Sequence, residues 1–98
     1  MGASLRAARA GRVVHEMSLA MEIARIAEEK LGDAAPQLVT VAVDVGDNAG
    51  VEPSSLEFCL EAVFATPPFA GAKPHIVRCS GDVLRVAYLE IDDGRPDD

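Results

Sequence analysis

The sequence predicts one small α/β domain, a two-layer sandwich in which two helices pack on a small mixed sheet. Three observations support this fold class. Helical and strand-like hydrophobic patterns alternate along the chain in the order helix, strand, helix, strand, strand. A chain of 98 residues has material for one hydrophobic core only. Because 49% of the residues are hydrophobic but only 4% are aromatic, we expect a core of Val, Leu, Ile and Ala.

The first helix is predicted to begin at Ser18, which can cap it, and to end at Gly32-Asp33. A short strand is expected just before this helix, at Val13–Glu16. In that interpretation His15 and Glu16 form a lead-in segment before the helix. The residues that recur at helical spacing are Leu19, Ile23, Ile26 and Leu31.

The strongest strand pattern covers residues 38–45, in which the four valines at odd positions share one face. A second helix begins near Pro53, with Glu52 or Ser54 near its cap. Two further strands are predicted at residues 74–79 and 83–91, joined by a hairpin-type connection. The apolar stripe of the second helix consists of Leu56, Cys59, Leu60, Val63 and Phe64.

The net charge of −7 argues against a nucleic-acid or anionic-membrane partner, since both require a clustered basic face. The charge is uneven, because residues 1–14 contain three arginines and no acid. No apolar run approaches the ~18 residues of a membrane span, and no secretory signal is recognisable. We therefore expect a cytoplasmic protein that has no membrane partner.

No nucleophile, P-loop, dinucleotide or zinc-protease motif is present, so we expect a protein that is not an enzyme. Cys59 and Cys79 are expected to be reduced, buried small residues. His75 is expected to be a surface histidine at a strand edge. On pattern alone, His15 is an ordinary residue before a helix, although a lone histidine can also bind a metal.

Three short segments are more specific than these general patterns. The sequence His-Glu-Met-Ser-Leu (15–19) leads the first helix, and a strand ending in Gly46 precedes a Val-Glu-Pro helix start (51–53). Gly-Asp-Val-Leu-Arg-Val (81–86) begins the last strand. With these segments, residues 14–92 resemble the hydrogenase and urease nickel-incorporation family, HypA/HybF.

The resemblance implies a nickel metallochaperone that assists Ni(II) insertion during maturation of NiFe hydrogenase, or of urease. It also implies two partners, a maturation GTPase and the precursor of the hydrogenase large subunit. Family members bind nickel at a chain start of Met-His-Glu, where consecutive nitrogen atoms provide the planar donor set that Ni(II) accepts. By resemblance, His15 is the nickel-binding imidazole and Glu16 is its acidic neighbour. Glu52 corresponds to a position where some members carry a nearby carboxylate.

The chain departs from the family pattern in two places. The family motif starts at the initiator Met, whereas here His15 follows Val14 and thirteen further residues. We expect residues 1–13 to be a flexible leader or the product of a mis-called start. In the second case Val14 is encoded by a GTG start codon, and the native chain begins Met-His-Glu-Met-Ser-Leu. The family also inserts a zinc ribbon with two CxxC pairs between its last two strands, where this chain has only Ser80-Gly81-Asp82. We therefore expect no zinc-binding lobe and no zinc.

The predicted organisation is a leader (1–13), a nickel-binding domain (14–92) and an acidic tail (93–98). Other interpretations of the candidate residues stay open, since Glu16 and Glu52 are also typical acids of helix N-termini. An alternative function is a metal-free interaction module of the same fold, which binds a maturation GTPase or another factor.

Overall fold

A computed structural model describes residues 15–92, and for His15 it describes the backbone only. The predicted two-layer α/β architecture is confirmed, with two helices packed on one face of a three-stranded mixed sheet. Within residues 15–92, no helix is long and apolar enough to cross a membrane. The elements are α1 (His15–Leu31), a short 3-10 helix (Gly32–Gln37), β1 (Leu38–Gly46), α2 (Pro53–Phe64), β2 (Lys73–Cys79) and β3 (Leu84–Ile91).

Helix α1 begins at His15, three residues before the predicted cap at Ser18. The prediction of a lead-in segment, or of a short strand at Val13–Glu16, is therefore wrong for residues 15 and 16; residues 13 and 14 lie outside the described part. Ser18 is within the helix instead of capping it. Two effects favour the earlier start, because Glu16 lies in the positive first turn and its carboxylate also binds the backbone of Glu52.

Strand β1 is the centre of the sheet, parallel to β2 on one side and antiparallel to β3 on the other. The parallel pairing follows from α2, because a helix between two strands returns the chain to the end where the first strand began. β3 then occupies the remaining edge of β1. The predicted hairpin is therefore wrong, since β2 and β3 are not neighbours.

Residues 80–83 instead form an arch that crosses the end of β1. The backbone N–H of Gly46 donates to the carbonyl of Val83 at 2.7 Å, and that of Asn48 donates to the carbonyl of Gly81 at 2.7 Å. The carboxylate of Asp47 accepts from the N–H of Gly81 at 3.1 Å. The arch lies so close that a Cβ on Gly46 would overlap its backbone. Gly46 is therefore required by space.

The core lies between the helices and the sheet. Its largest fully buried side chains are Ile23, Val41, Val43, Val45, Leu56, Leu60 and Phe64. The predicted stripe of α2 is confirmed in outline, although Cys59 and Val63 are only half-buried at its margin. The ring of Phe64 packs on Phe69, with centroids 4.6 Å apart.

The first residues of β1 depart from the predicted alternation. A register shift between Leu38 and Thr40 inserts one extra residue opposite β3. The side chain of Val39 is consequently 40% exposed, whereas Leu38 is buried. The prediction that all four valines share the buried face is therefore wrong at Val39 and confirmed for the other three.

Candidate functional site

The N-terminal ends of the two helices are joined through a carboxylate of α1. The Glu16 Oε2 atom accepts a hydrogen bond from the backbone N–H of Glu52 at 3.0 Å. Glu52 is the N-cap of α2, and its own Oε1 atom accepts from the N–H of Ser55 at 2.9 Å. The structure therefore places two sequence-predicted site residues, Glu16 and Glu52, in direct contact.

The local sequence explains why α2 begins here. Pro53 has no N–H to leave unpaired at the first helical position, and its ring restricts Glu52 to extended backbone. Extended backbone is the conformation of an N-cap, and Glu52 has φ −85° and ψ 113°. The carbonyl of Glu52 then accepts the first helical bond, from the N–H of Leu56 at 3.0 Å. The position of the Glu52 side chain is thus determined by a cap that Pro53 favours.

Both carboxylates retain acceptor capacity. Glu16 uses Oε2 and Glu52 uses Oε1 in the bonds described above, and within the described side chains the second oxygen of each has no hydrogen-bond donor. A carboxylate has about four acceptor positions, so each can also bind a cation or a donor of a partner. These oxygens lie beside the start of α1.

His15 precedes Glu16 as the first residue of α1, which places its backbone next to the joined helix ends. The first N–H groups of an α-helix have no intrahelical acceptor, and in the described part of α1 these belong to residues 15–17. Nitrogen atoms of this turn are therefore not engaged in the helical ladder. Among residues 16–92, whose side chains the structure describes, no group of three or more His, Cys, Asp or Glu could hold a metal ion.

The other predicted chemistry-bearing residues lie elsewhere. His75 is exposed on β2, in register with Ala42 of β1, as predicted for a surface histidine. Cys59 and Cys79 are free thiols, and each is half-buried where full burial was predicted. Cys79 ends β2, and its carbonyl accepts from the N–H of Asp47 at 2.8 Å.

A shallow hollow of about 410 Å³ lies beside Glu16, between the first turns of the helices. Its lining consists of Glu16, Met17, Ser54, Ser55, Phe58 and Cys59. Sequence reasoning did not identify this hollow. The sequence offered one signal for it, because Phe58 is a large apolar residue outside the apolar stripe of α2. In the structure its side chain is 71% exposed.

The fold and the site together define a small two-layer α/β domain in which two glutamates meet at the N-terminal ends of its helices. Residues 14–85 match the family described as "Hydrogenase/urease nickel incorporation, metallochaperone, hypA". The chain therefore belongs to the HypA family of hydrogenase/urease nickel-incorporation proteins, and the resemblance noted in the sequence is confirmed.

Individual relatives agree with the family match. The chain is 34% identical over 68 residues to hydrogenase maturation factor HypA of Geobacter metallireducens, an alignment that covers 69% of this chain and 60% of the relative. It is 32% identical over 78 residues to HypA of Albidiferax ferrireducens, covering 79% and 69% of the two chains. It is 38% identical over 69 residues to HypA 2 of Bradyrhizobium diazoefficiens, covering 69% and 61%. The chain thus spans about three fifths to two thirds of the length of these relatives.

Proposed function

We propose that this chain is a non-enzymatic nickel carrier of the cytoplasm, which binds Ni(II) at the start of α1. It then assists insertion of the ion into a NiFe hydrogenase precursor, or into urease, with the help of a maturation GTPase. Family membership and the relatives' names as hydrogenase maturation factors support this role. The observation that carries the proposal is the hydrogen bond from Glu52 N–H to Glu16, which brings two carboxylates beside His15.

Charge explains why these carboxylates matter. The N-terminus of a helix carries about half an elementary positive charge. Two adjacent N-termini therefore present roughly one positive charge, which repels a divalent cation. The carboxylates of Glu16 and Glu52 offset this and leave a negative region at the start of α1. The proposed roles are therefore direct ligation by His15 and electrostatic support by Glu16 and Glu52.

Donor chemistry supports nickel in particular. Ni(II) accepts a planar set of nitrogen donors, and consecutive backbone nitrogens with an imidazole supply such a set in small chelate rings. The N–H groups at the start of α1 have no helical acceptor to lose when they bind the ion. Both the imidazole and the amides must lose protons to ligate, so affinity falls as the pH decreases below neutrality.

The proposed nickel site also depends on which residue is the first of the chain, because a terminal amine is a further nitrogen donor. The family match begins at residue 14, where we propose a start codon read as Met. A chain that starts there adds a terminal amine to the donors beside His15. We accordingly propose residues 1–13 as a leader outside the nickel-binding domain. Intact mass of the protein from its own cells tests this part, because a product that retains residues 1–13 contradicts it.

Nickel titration near pH 7.5 tests the metal site, with a variant chain that begins with Met at position 14 as the parent. We expect His15→Ala to remove the absorption spectrum of planar Ni(II) and most of the affinity. Glu16→Gln and Glu52→Gln should each weaken binding by about tenfold, as removal of outer groups at metal sites does. His75→Ala is the matched control and should leave binding unchanged. Equal spectra and affinities for the parent and His15→Ala would exclude the site.

Exposed apolar side chains beside the site favour a second candidate, the metal-free interaction module. Met17 and Phe58 line the hollow and are 40% and 71% exposed. Under this alternative, the domain binds a maturation factor without nickel. Binding to a maturation GTPase that persists in excess chelator and in His15→Ala supports it, whereas loss of binding in both supports the nickel carrier.

A further inference from the structure

Three large apolar side chains on the helical layer are exposed to solvent. Met17, Met21 and Phe58 are 40%, 60% and 71% exposed, and we refer to them as the apolar helix patch. Met17 and Phe58 line the same hollow, and Met21 lies one turn beyond Met17 on α1. An exposed cluster of large apolar side chains marks a contact surface more often than isolated ones do.

The surroundings of the patch are acidic. Glu57 and Glu61 flank Phe58 along α2. Glu16 lines the hollow, and its carboxylate accepts a hydrogen bond from the backbone of Glu52. Helix α2 contains no lysine or arginine. The rim of the patch on this helix is therefore negative and carries no compensating cation.

The nearest cation of α1 is already paired. Arg25 lies one turn beyond Met21, and its guanidinium contacts Glu22 at 2.6 Å and Glu29 at 3.3 Å. The Arg25 hydrogen bond also lowers the pKa of the Glu22 carboxyl, which keeps that group charged. Arg25 consequently does not neutralise the rim.

Charge decides which occupant fits this surface. A second copy of the chain would bring two acidic rims together, and a chain of net charge −7 would oppose that contact. A basic segment would gain attraction from the same carboxylates. An amphipathic helix also fits the shape, since its apolar face can pack on Phe58 while the two flexible methionines adjust to it.

We propose that the apolar helix patch is the docking site of a basic amphipathic helix from another protein. Its apolar side chains contact Met17, Met21 and Phe58, and its Lys and Arg side chains pair with the acidic rim. The docked helix covers the hollow beside Glu16. Docking does not require nickel, because the three patch residues act through apolar contact and the rim residues Glu57 and Glu61 have no role in the proposed nickel site.

Peptide binding to the full chain tests this proposal by fluorescence anisotropy. Two labelled helical peptides share a Leu face, and one has Lys and the other Glu on its polar face. We expect the Lys peptide to bind more tightly, and its affinity to decrease with salt. Phe58→Ser should weaken its binding by at least about tenfold, as loss of a central aromatic contact does.

Tyr88→Ser is the matched control, because Tyr88 is 52% exposed on the sheet strand β3. It should bind the Lys peptide as the parent does, and circular dichroism should show both variants folded. Glu61→Lys should weaken binding of the Lys peptide and improve that of the Glu peptide. Equal binding of the two peptides, or an equal effect of Phe58→Ser and Tyr88→Ser, would overturn the proposal. Self-association of the parent that Phe58→Ser abolishes would assign the patch to a second copy instead.

Discussion

Gly46→Ala tests whether the arch of residues 80–83 determines how the sheet is closed. An alanine Cβ at this position would overlap the carbonyl oxygen of Gly81, and would lie 2.7 Å from the Gly81 carbonyl carbon and from the Val83 nitrogen. All three contacts are with backbone, so no side-chain rotation relieves them. The arch would have to move away from the end of β1.

The expected cost follows from the hydrogen bonds that hold the arch. Moving it weakens the bonds that the N–H groups of Gly46 and Asn48 donate to the arch, both 2.7 Å long, and the 3.1 Å bond from the Gly81 N–H to the Asp47 carboxylate. Each such bond contributes about 1 kcal/mol, so the free energy of unfolding should decrease by about 3 kcal/mol. For a domain of this size the Tm should decrease by roughly 12–24 °C.

Urea unfolding followed by circular dichroism measures this cost, with Gly50→Ala as the matched control. Gly50 has φ +76° and open space where a Cβ would lie, so its substitution costs only the left-handed backbone, about 1 kcal/mol. Gly46→Ala should therefore be clearly the more destabilised variant. A loss of less than about 0.5 kcal/mol for Gly46→Ala, or one no larger than that of Gly50→Ala, would refute the account of the arch.

Two further substitutions test the core and the helix surface. Leu60→Ala removes a fully buried side chain of α2 and should lower the free energy of unfolding by about 2–5 kcal/mol in the same urea assay. A decrease of less than about 1 kcal/mol would contradict the position of Leu60 in the core. Glu22→Gln should cause a small loss of stability at pH 7, because the hydrogen bond from Arg25 lowers the pKa of the Glu22 carboxyl. The stability that this carboxylate contributes is fully present above its unfolded pKa of about 4.3, and it is lost as the pH falls through the folded pKa. Thermal scans should therefore separate this variant from the parent at pH 7, and the difference should disappear in acid once the Glu22 carboxyl is protonated in the folded chain. A difference that remains after this protonation would contradict the pairing.

The candidate site shows where sequence reasoning was sufficient and where it was not. The family motifs identified Glu16 and Glu52 as residues of interest, although 36 positions separate them. Their contact is a property of the folded chain, because it depends on how α1 packs against α2. The hollow and the apolar helix patch are formed by the same packing, and only the position of Phe58 outside the α2 stripe pointed to them.

The start of α1 illustrates the limit of local signals. Ser18 is a good cap by residue type, and the sequence pattern therefore placed His15 and Glu16 before the helix. The structure extends the helix to His15, where the carboxylate of Glu16 finds a donor in Glu52. The helix thus begins earlier than the local pattern predicted, and a hydrogen bond to a residue distant in the sequence favours this earlier start.

The sequence alone determined the order of the two helices and the three strands and their fold class, because hydrophobic period, Pro53 and the turn glycines act through neighbouring residues. It also determined the family, through short motifs along one chain. Only the tertiary structure decided that β1 is central, that residues 80–83 cross its end, and that Val39 turns outward. These features depend on pairing between strands that are distant in the sequence. One extra residue in a strand ladder, or the edge of β1 on which a strand pairs, changes them without altering the hydrophobic pattern of any single element.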